Sequence, residues 1–178
     1  MTHDDRSFER IASETIYEGK IIDVVRERFR YADGEEAERE IVRHQGAVGI
    51  LAHDDDHIYL VRQPREAVGD PDVLEIPAGR KDKDGEDPLE TARRELAEEI
   101  GKGAGSWEHI CDYHSSVGMS DELVHVFHAT DLHDESADSG EMERIEIVRW
   151  PLADLDGAIG ATQDAKTLIA LLWLKSRR

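Results

Sequence analysis

Three glutamates, Glu95, Glu98 and Glu99, stand at i, i+3 and i+4 within the run TARRELAEEIG. On a helix this spacing places all three carboxylates on one face, where like charges repel by about 0.2–0.5 kcal/mol per pair. One reading is a solvated acidic face, common on a chain with many carboxylates. The other is a site for a hard divalent cation: Mg²⁺ takes carboxylate oxygens and keeps waters that a phosphate can displace. The helix itself has clear boundaries. Asp87 can cap its first turn, Pro88 suits the position where an N–H would have no partner, Glu90 can complete a capping box, and Gly101 supplies the stop. Leu89, Ala92, Leu96 and Ile100 recur at three and four and form the apolar stripe that must be buried. The pattern predicts a helix over residues 88–100 with its acids away from the core.

The elements that must hold this face are those of a mixed α/β domain. Alternating apolar and β-branched residues over 14–31 and 37–43, around the turn ADGEEAE, predict a long antiparallel hairpin, an arm that could stay at home or cross to a partner. Further strands are expected at 46–52, 57–63, 107–116, 122–131 and 145–150. Helices are expected at 163–175 and, shorter, at 152–158. No repeat or Pro/Gly-rich linker divides the chain. The expectation is a loose N-terminus over 1–13 and one domain over 14–178, with 14–43 as the β-arm.

Immediately before the helix lies EIPAGRKDKDGE, a strand ending in Pro77-Ala78-Gly79 and a loop reaching Glu86. Glu86, Arg94, Glu95, Leu96, Glu98, Glu99 and Gly101 together resemble the Nudix box, and from Glu86 onward they keep the family spacing. Gly79 departs from it, because six residues separate it from Glu86 where five are usual. The resemblance implies an α/β/α sandwich with a mixed sheet. It implies that Glu95 and Glu99 ligate Mg²⁺ or Mn²⁺, that Glu98 shares in a second metal position, and that the carbonyl of Ala78 completes the first. Glu86 would support the loop or take part in outer coordination, and Arg94 would fix the rotamer of a helix carboxylate. Cations there neutralise a pyrophosphate and lower the pKa of a water, so the implied reaction is hydrolysis of a nucleoside diphosphate linked to another group.

The segments VRQPRE, LEIPAG, HSSVGMSDELVHVF and EMERIEIVRWPL, with the closing DAKTLIALLWL, resemble the ADP-ribose pyrophosphatase branch from about residue 14 to the C-terminus. That resemblance implies a homodimer with an exchanged arm and cleavage of ADP-ribose to AMP and ribose 5-phosphate. Arg65 would approach the phosphates, Gly118 and Glu122 would contribute to substrate binding, and Glu141 or Glu143 would position water. Val117 stands where the branch carries a proline, which leaves other nucleotide sugars, NADH, flavin adenine dinucleotide and dinucleoside polyphosphates open as substrates. A non-catalytic module that senses ADP-ribose or a nucleotide is the alternative of another class.

His125 and His128 have HxxH spacing, but a strand sends them to opposite faces, so no shared metal is expected. Cys111 reads as a buried, inert thiol, and Tyr17, Phe29 or Tyr31 of the arm could stack on an adenine.

The chain has 178 residues, with 41 acids against 22 lysines and arginines and a formal net charge of −19, a surface that repels nucleic acid and anionic membrane. The excess is of the kind tolerated in a salt-rich cytoplasm, where repulsion is screened; a solvated acidic surface is the simpler alternative. The longest apolar run, 168–174, is far shorter than the roughly 20 residues of a membrane span. The start carries neither the basic region nor the apolar run of a signal peptide, and one cysteine permits no intrachain disulfide. The expected location is cytoplasmic.

Overall fold

A computed structural model describes residues 6–81, 85–136 and 144–178. The chain divides into two compact units: one runs to Gly46 and takes in His114–Leu123, and the other comprises Ala47–Tyr113 and Val124–Arg178.

The first unit is a three-stranded antiparallel sheet in the order β1(Phe8–Glu18), β2(Ile22–Tyr31) and β3(Glu36–His44). The single strand expected over 14–31 is two strands. The chain turns between Glu18 and Ile22, where the Gly19 N–H donates to Asp23 Oδ1 at 3.1 Å. β1 also starts earlier than expected, at Phe8, whose ring meets Phe29 edge-on at 5.5 Å and whose backbone lies opposite Tyr31. Two register shifts let β1 follow β2. Glu27 is a buried charge of this unit. It accepts from Arg10 at 2.9 Å, Ser13 at 3.2 Å and Arg43 at 2.8 Å; burial raises its pKa, but the hydrogen bonds and charges of Arg43 and Arg10 outweigh that and hold it below the usual carboxylate value.

The second unit is built on a mixed sheet. Its path is β10(Glu146–Pro151), β5(His57–Arg65), β4(Ala47–His53), β9(Leu123–Asp134) and β8(Lys102–His114), with β6(Asp70–Glu75) paired to β5 and β7(Ala78–Arg80) paired to β4. β4 runs antiparallel to β5 and parallel to β9. Alternation along the central strands supplies two cores, as the period of two requires. Val48, Ile50, Ala52, Tyr59, Val61, Phe127 and Ala129 pack with Ala92, Leu96 and Ile100 of α1(Pro88–Ile100). Leu51, Ile58, Leu60, Val124 and Val126 pack with residues of α2(Leu155–Ala161) and α3(Ala165–Ser176). Helices therefore cover both faces, the α/β/α sandwich expected. Trp150 and Trp173 lie partly buried against the second core.

The α1 boundaries follow their residues. Asp87 Oδ1 accepts from the Leu89 N–H at 2.9 Å, Pro88 occupies the first turn, and Gly101 adopts φ 67° while its N–H closes the last turn on Ala97. Glu90, expected to complete a capping box, ion-pairs with Arg93 at 3.3 Å. Asp87→Ala is expected to cost about 1 kcal/mol, the usual loss of an N-cap. A midpoint about 2–4 °C lower by calorimetry checks this.

Candidate functional site

The carboxylate face of α1 is assembled against β7 and the chain that leads into it. β6 ends at Glu75, Ile76 passes under α3, and the Pro77 carbonyl accepts from the Ile50 N–H at 2.8 Å before β7 pairs with β4 through Ala78↔Gly49 and Val48↔Gly79. Two contacts then bring strand and helix together. The Ala78 N–H donates to Glu99 Oε2 at 3.0 Å. At Gly79 the Glu95 carboxylate fills the space of a side chain: a Cβ built there would fall 1.8 Å from Glu95 Cδ. Only glycine allows that approach. The extra residue between Gly79 and Glu86 leaves both ends of the loop in contact with the helix, since Glu86 Oε2 accepts from Thr91 Oγ1 at 2.9 Å and from Arg94 Nη2 at 3.2 Å.

Arg94 ties the acids to one another. Its Nη1 donates to Glu95 Oε1 at 2.7 Å and to Glu98 Oε2 at 3.0 Å. Burial alone would lower its pKa, but the hydrogen bond to Glu86 and the fields of Glu95, Glu86 and Glu98 raise it, so the guanidinium stays charged at any working pH. This cation offsets part of the repulsion among three acids on one helix face and fixes the rotamers of two of them.

Arg65, expected to meet phosphates, makes a bidentate pair with Glu75: Nε to Oε1 at 2.5 Å and Nη2 to Oε2 at 2.8 Å. Its pKa is raised, first by that hydrogen bond and against the effect of burial, and also by the charges of Glu75, Glu99 and Asp164. Glu75 is 1% exposed and also accepts from Lys166, which donates to Asp164 as well at 2.9 Å. Asp164 caps α3 through the Thr167 N–H at 2.9 Å, and Thr167 Oγ1 accepts from the Ile76 N–H at 2.8 Å. Burial pushes the Glu75 pKa up, yet Arg65 and Lys166 outweigh it and hold the carboxyl ionised.

Glu75, Lys166, Asp164 and Thr167 were not among the residues expected at the site. Glu75 carried a signal, a lone acid inside the apolar run VLEIP, whereas its pairing with Lys166 spans 91 positions and leaves no local trace.

The structure brings Ala78, Gly79, Glu86, Arg94, Glu95, Glu98 and Glu99 together, and Arg65 lies within the field of Glu99. Gly118 and Glu122 belong to the first unit. There Ser116 O accepts from the Met119 and Ser120 N–H groups at 3.1 and 2.9 Å, so the turn around Val117 and Gly118 forms without a proline and leaves Val117 85% exposed. The Val42 N–H donates to Met119 O at 2.8 Å, Asp121 accepts from Arg43 at 2.9 Å, and Glu122 Oε1 lies 3.6 Å from His44 Nδ1. Glu141 and Glu143 lie outside the described residues.

His125 and His128 do not share partners: His125 meets Asp112, whereas His128 stacks on His53 at 4.9 Å and meets Trp173 edge-on at 5.1 Å. Cys111 is partly buried, and its pKa is raised by that burial and by Asp112, which makes it a poor nucleophile.

An all-oxygen donor set, on a rigid helix facing a strand that has glycine where a side chain would intrude, fits a hard cation in kind. Gly79→Ala tests how much that approach matters. The added methyl must displace the Glu95 carboxylate, the far end of a flexible side chain, so the midpoint should fall by less than about 4 °C. Misplacing the carboxylate by an ångström should lower kcat about 100-fold. Steady-state kinetics beside a melting curve reads both.

A strand–loop–helix with these acids, its helix packed on one face of a mixed-sheet sandwich, defines a domain class. The NUDIX domain model matches residues 43–172, and the chain belongs to the Nudix family. It is 39% identical over 170 residues to the ADP-ribose pyrophosphatase of Bacillus subtilis (strain 168), covering 93% of this chain and 91% of that protein. It is 38% identical over 153 residues to the ADP-ribose pyrophosphatase of Mycobacterium tuberculosis (strain ATCC 25618 / H37Rv), covering 84% and 73%. The crystal structure of an ADP compounds hydrolase superposes with a TM-score of 0.86 over 99% of this chain and 96% of that one, at 24% identity, which establishes the shared fold.

Proposed function

We propose that this protein hydrolyses the pyrophosphate bond of ADP-ribose to AMP and ribose 5-phosphate. The observation that carries the reading is the docking of the Glu95 and Glu99 carboxylates against Gly79 and Ala78, within a chain 39% identical to a protein named ADP-ribose pyrophosphatase. Glu95, Glu98, Glu99 and the Ala78 carbonyl would hold Mg²⁺, with Mn²⁺ as a substitute. When bound, the cation neutralises charge on the pyrophosphate and lowers the pKa of a water. The residues of the chain do the rest. Arg94 keeps Glu95 and Glu98 in place, and Glu86 anchors the loop. Arg65, oriented by Glu75, directs the remaining part of its guanidinium to a phosphate oxygen. Gly118 and Glu122 contribute to substrate binding, and Glu141 or Glu143 positions the water.

Residues 14–178 act as one functional domain in this reading, and the protein works in the cytoplasm as a homodimer that exchanges its arm. Phe8, Ile16, Tyr17 and Ile21 are exposed apolar residues of the three-stranded sheet and of the turn joining its first two strands, which favours a partner there. No described helix is long and apolar enough to cross a membrane. The charge of −19 argues against a nucleic-acid partner. If the acidity is an adaptation to salt, lowering KCl from molar to tens of millimolar, with chelator present, should lower the melting temperature. An unfolding curve that ignores KCl removes that part of the account.

A hydrolysis screen over nucleotide sugars, dinucleotides and nucleoside triphosphates in Mg²⁺, with products identified, tests the substrate. ADP-ribose is expected to turn over fastest. Tight binding of ADP-ribose without turnover would favour the sensing module instead.

A further inference from the structure

We propose that His109, Asp112 and His125 form a second metal site, for a borderline-soft divalent ion of the Zn²⁺ type, distinct in chemistry from the all-carboxylate face of α1. His109 and Asp112 lie on β8 and His125 on the neighbouring strand β9. His109 Nε2 is 2.6 Å and His125 Nδ1 2.8 Å from the same oxygen, Asp112 Oδ1, and the three ligand atoms lie within 4.8 Å of one another. An i, i+3 pair on a regular strand points to opposite faces, so the meeting of His109 with Asp112 is a local arrangement that the strand period does not supply by itself.

Two imidazoles and a carboxylate are the donor set of three-ligand Zn²⁺ sites, whose fourth position is left to water. The ring nitrogens also separate this site from one for Mg²⁺, which takes oxygen. Zn–N and Zn–O bonds of about 2.0–2.2 Å place tetrahedral ligand atoms roughly 3.4 Å apart, so the ion need only open the present contacts by about 0.6–0.8 Å. An ionised carboxylate can only accept, so without metal each imidazole is assigned the tautomer with its N–H toward Asp112. A neutral ring that moves this proton to its other nitrogen on binding the ion releases no net proton. Phe127 holds the His109 ring edge-on at 5.5 Å, and His125 is mostly buried while His109 and Asp112 are open to solvent, which supplies both a fixed ligand and an entry path. The ion would clamp β8 to β9.

The test uses full-length protein stripped with a chelator and then kept in excess Mg²⁺, so that the carboxylate face is satisfied. Zn²⁺ titrated by calorimetry should bind once per chain. Co²⁺ in its place should give visible d–d bands, and Zn²⁺ at about a hundredfold excess over Kd should raise Tm by about 5–10 °C. His125→Ala and the solvent-exposed His109→Ala should each weaken Zn²⁺ by about 100-fold or more, with folding checked by circular dichroism and Mg²⁺-dependent hydrolysis within about twofold of the parent. No Zn²⁺ binding in excess Mg²⁺, binding unchanged in a folded His109→Ala, or binding lost in Glu99→Gln while the histidine variants keep it would each overturn the site.

Discussion

Glu99→Gln is expected to lower kcat on ADP-ribose about 1000-fold while leaving the fold intact. The amide oxygen can still accept from the Ala78 N–H, so the strand–helix contact survives. What is lost is a negative ligand: an amide is a much weaker partner than a carboxylate for a hard cation. Cation stabilisation of a phosphoryl transition state is worth several kcal/mol, and each 1.36 kcal/mol is about a factor of ten in rate. The loss should shrink at high Mg²⁺, because the variant binds the ion weakly but keeps the rest of the site. Near-normal kcat at limiting Mg²⁺ in a folded variant would mean that the cation lies elsewhere.

The second large effect is on stability. Glu75 is hydrogen-bonded to both Arg65 and Lys166, and replacing it with glutamine removes a charge that both cations share. Breaking a buried pair costs about 3–5 kcal/mol. The lower end is expected here, about 3 kcal/mol, because Arg65 is 42% exposed and water screens its side of the pair. The dependence on pH has a definite sign. The folded Glu75 pKa lies below its unfolded value, so its contribution is complete above the unfolded carboxylate value of about 4.3 and disappears as pH falls through the folded one. Urea unfolding should therefore show a large gap between parent and Glu75→Gln at pH 7 and a narrowing gap in acid. A gap that is constant across pH would show that packing, and not the charge, is what Glu75 supplies.

Arg65 is also expected to bind substrate, so the same variant should raise KM more than it lowers kcat. Loss of Glu75 frees the guanidinium from its fixed orientation without removing its charge.

What could be read directly from the residues is local. α1 starts and stops where Asp87, Pro88 and Gly101 place it, because caps act within a turn and the Leu96 stripe has a single period to satisfy. The grouping of its acids on one face was equally legible, since i, i+3 and i+4 spacing needs no tertiary information. The arm was less so. Residues 14–31 alternate almost without interruption, and the break at Gly19 depends on Asp23 folding back to its N–H. β1 begins at Phe8 because an aromatic contact to β2 orders it, a long-range gain that a polar N-terminus does not advertise. Glu75 shows the same limit inside the site. A lone acid in VLEIP is visible, but its partner Lys166 belongs to the last helix, and only the folded sheet brings the two together. His109, Asp112 and His125 are a third case: the strand period argues against His109 meeting Asp112 on the same strand, and His125 reaches Asp112 only from the neighbouring strand.

The central claim, hydrolysis of the ADP-ribose pyrophosphate by water oriented over the α1 carboxylates, is tested most directly by running the reaction with Mg²⁺ in ¹⁸O-water and identifying the products by mass spectrometry. The account predicts AMP and ribose 5-phosphate in equal amounts, with a single ¹⁸O in AMP, the mark of attack on the adenosyl phosphorus. ADP-ribose left intact while a nucleoside triphosphate releases phosphate or pyrophosphate would contradict it.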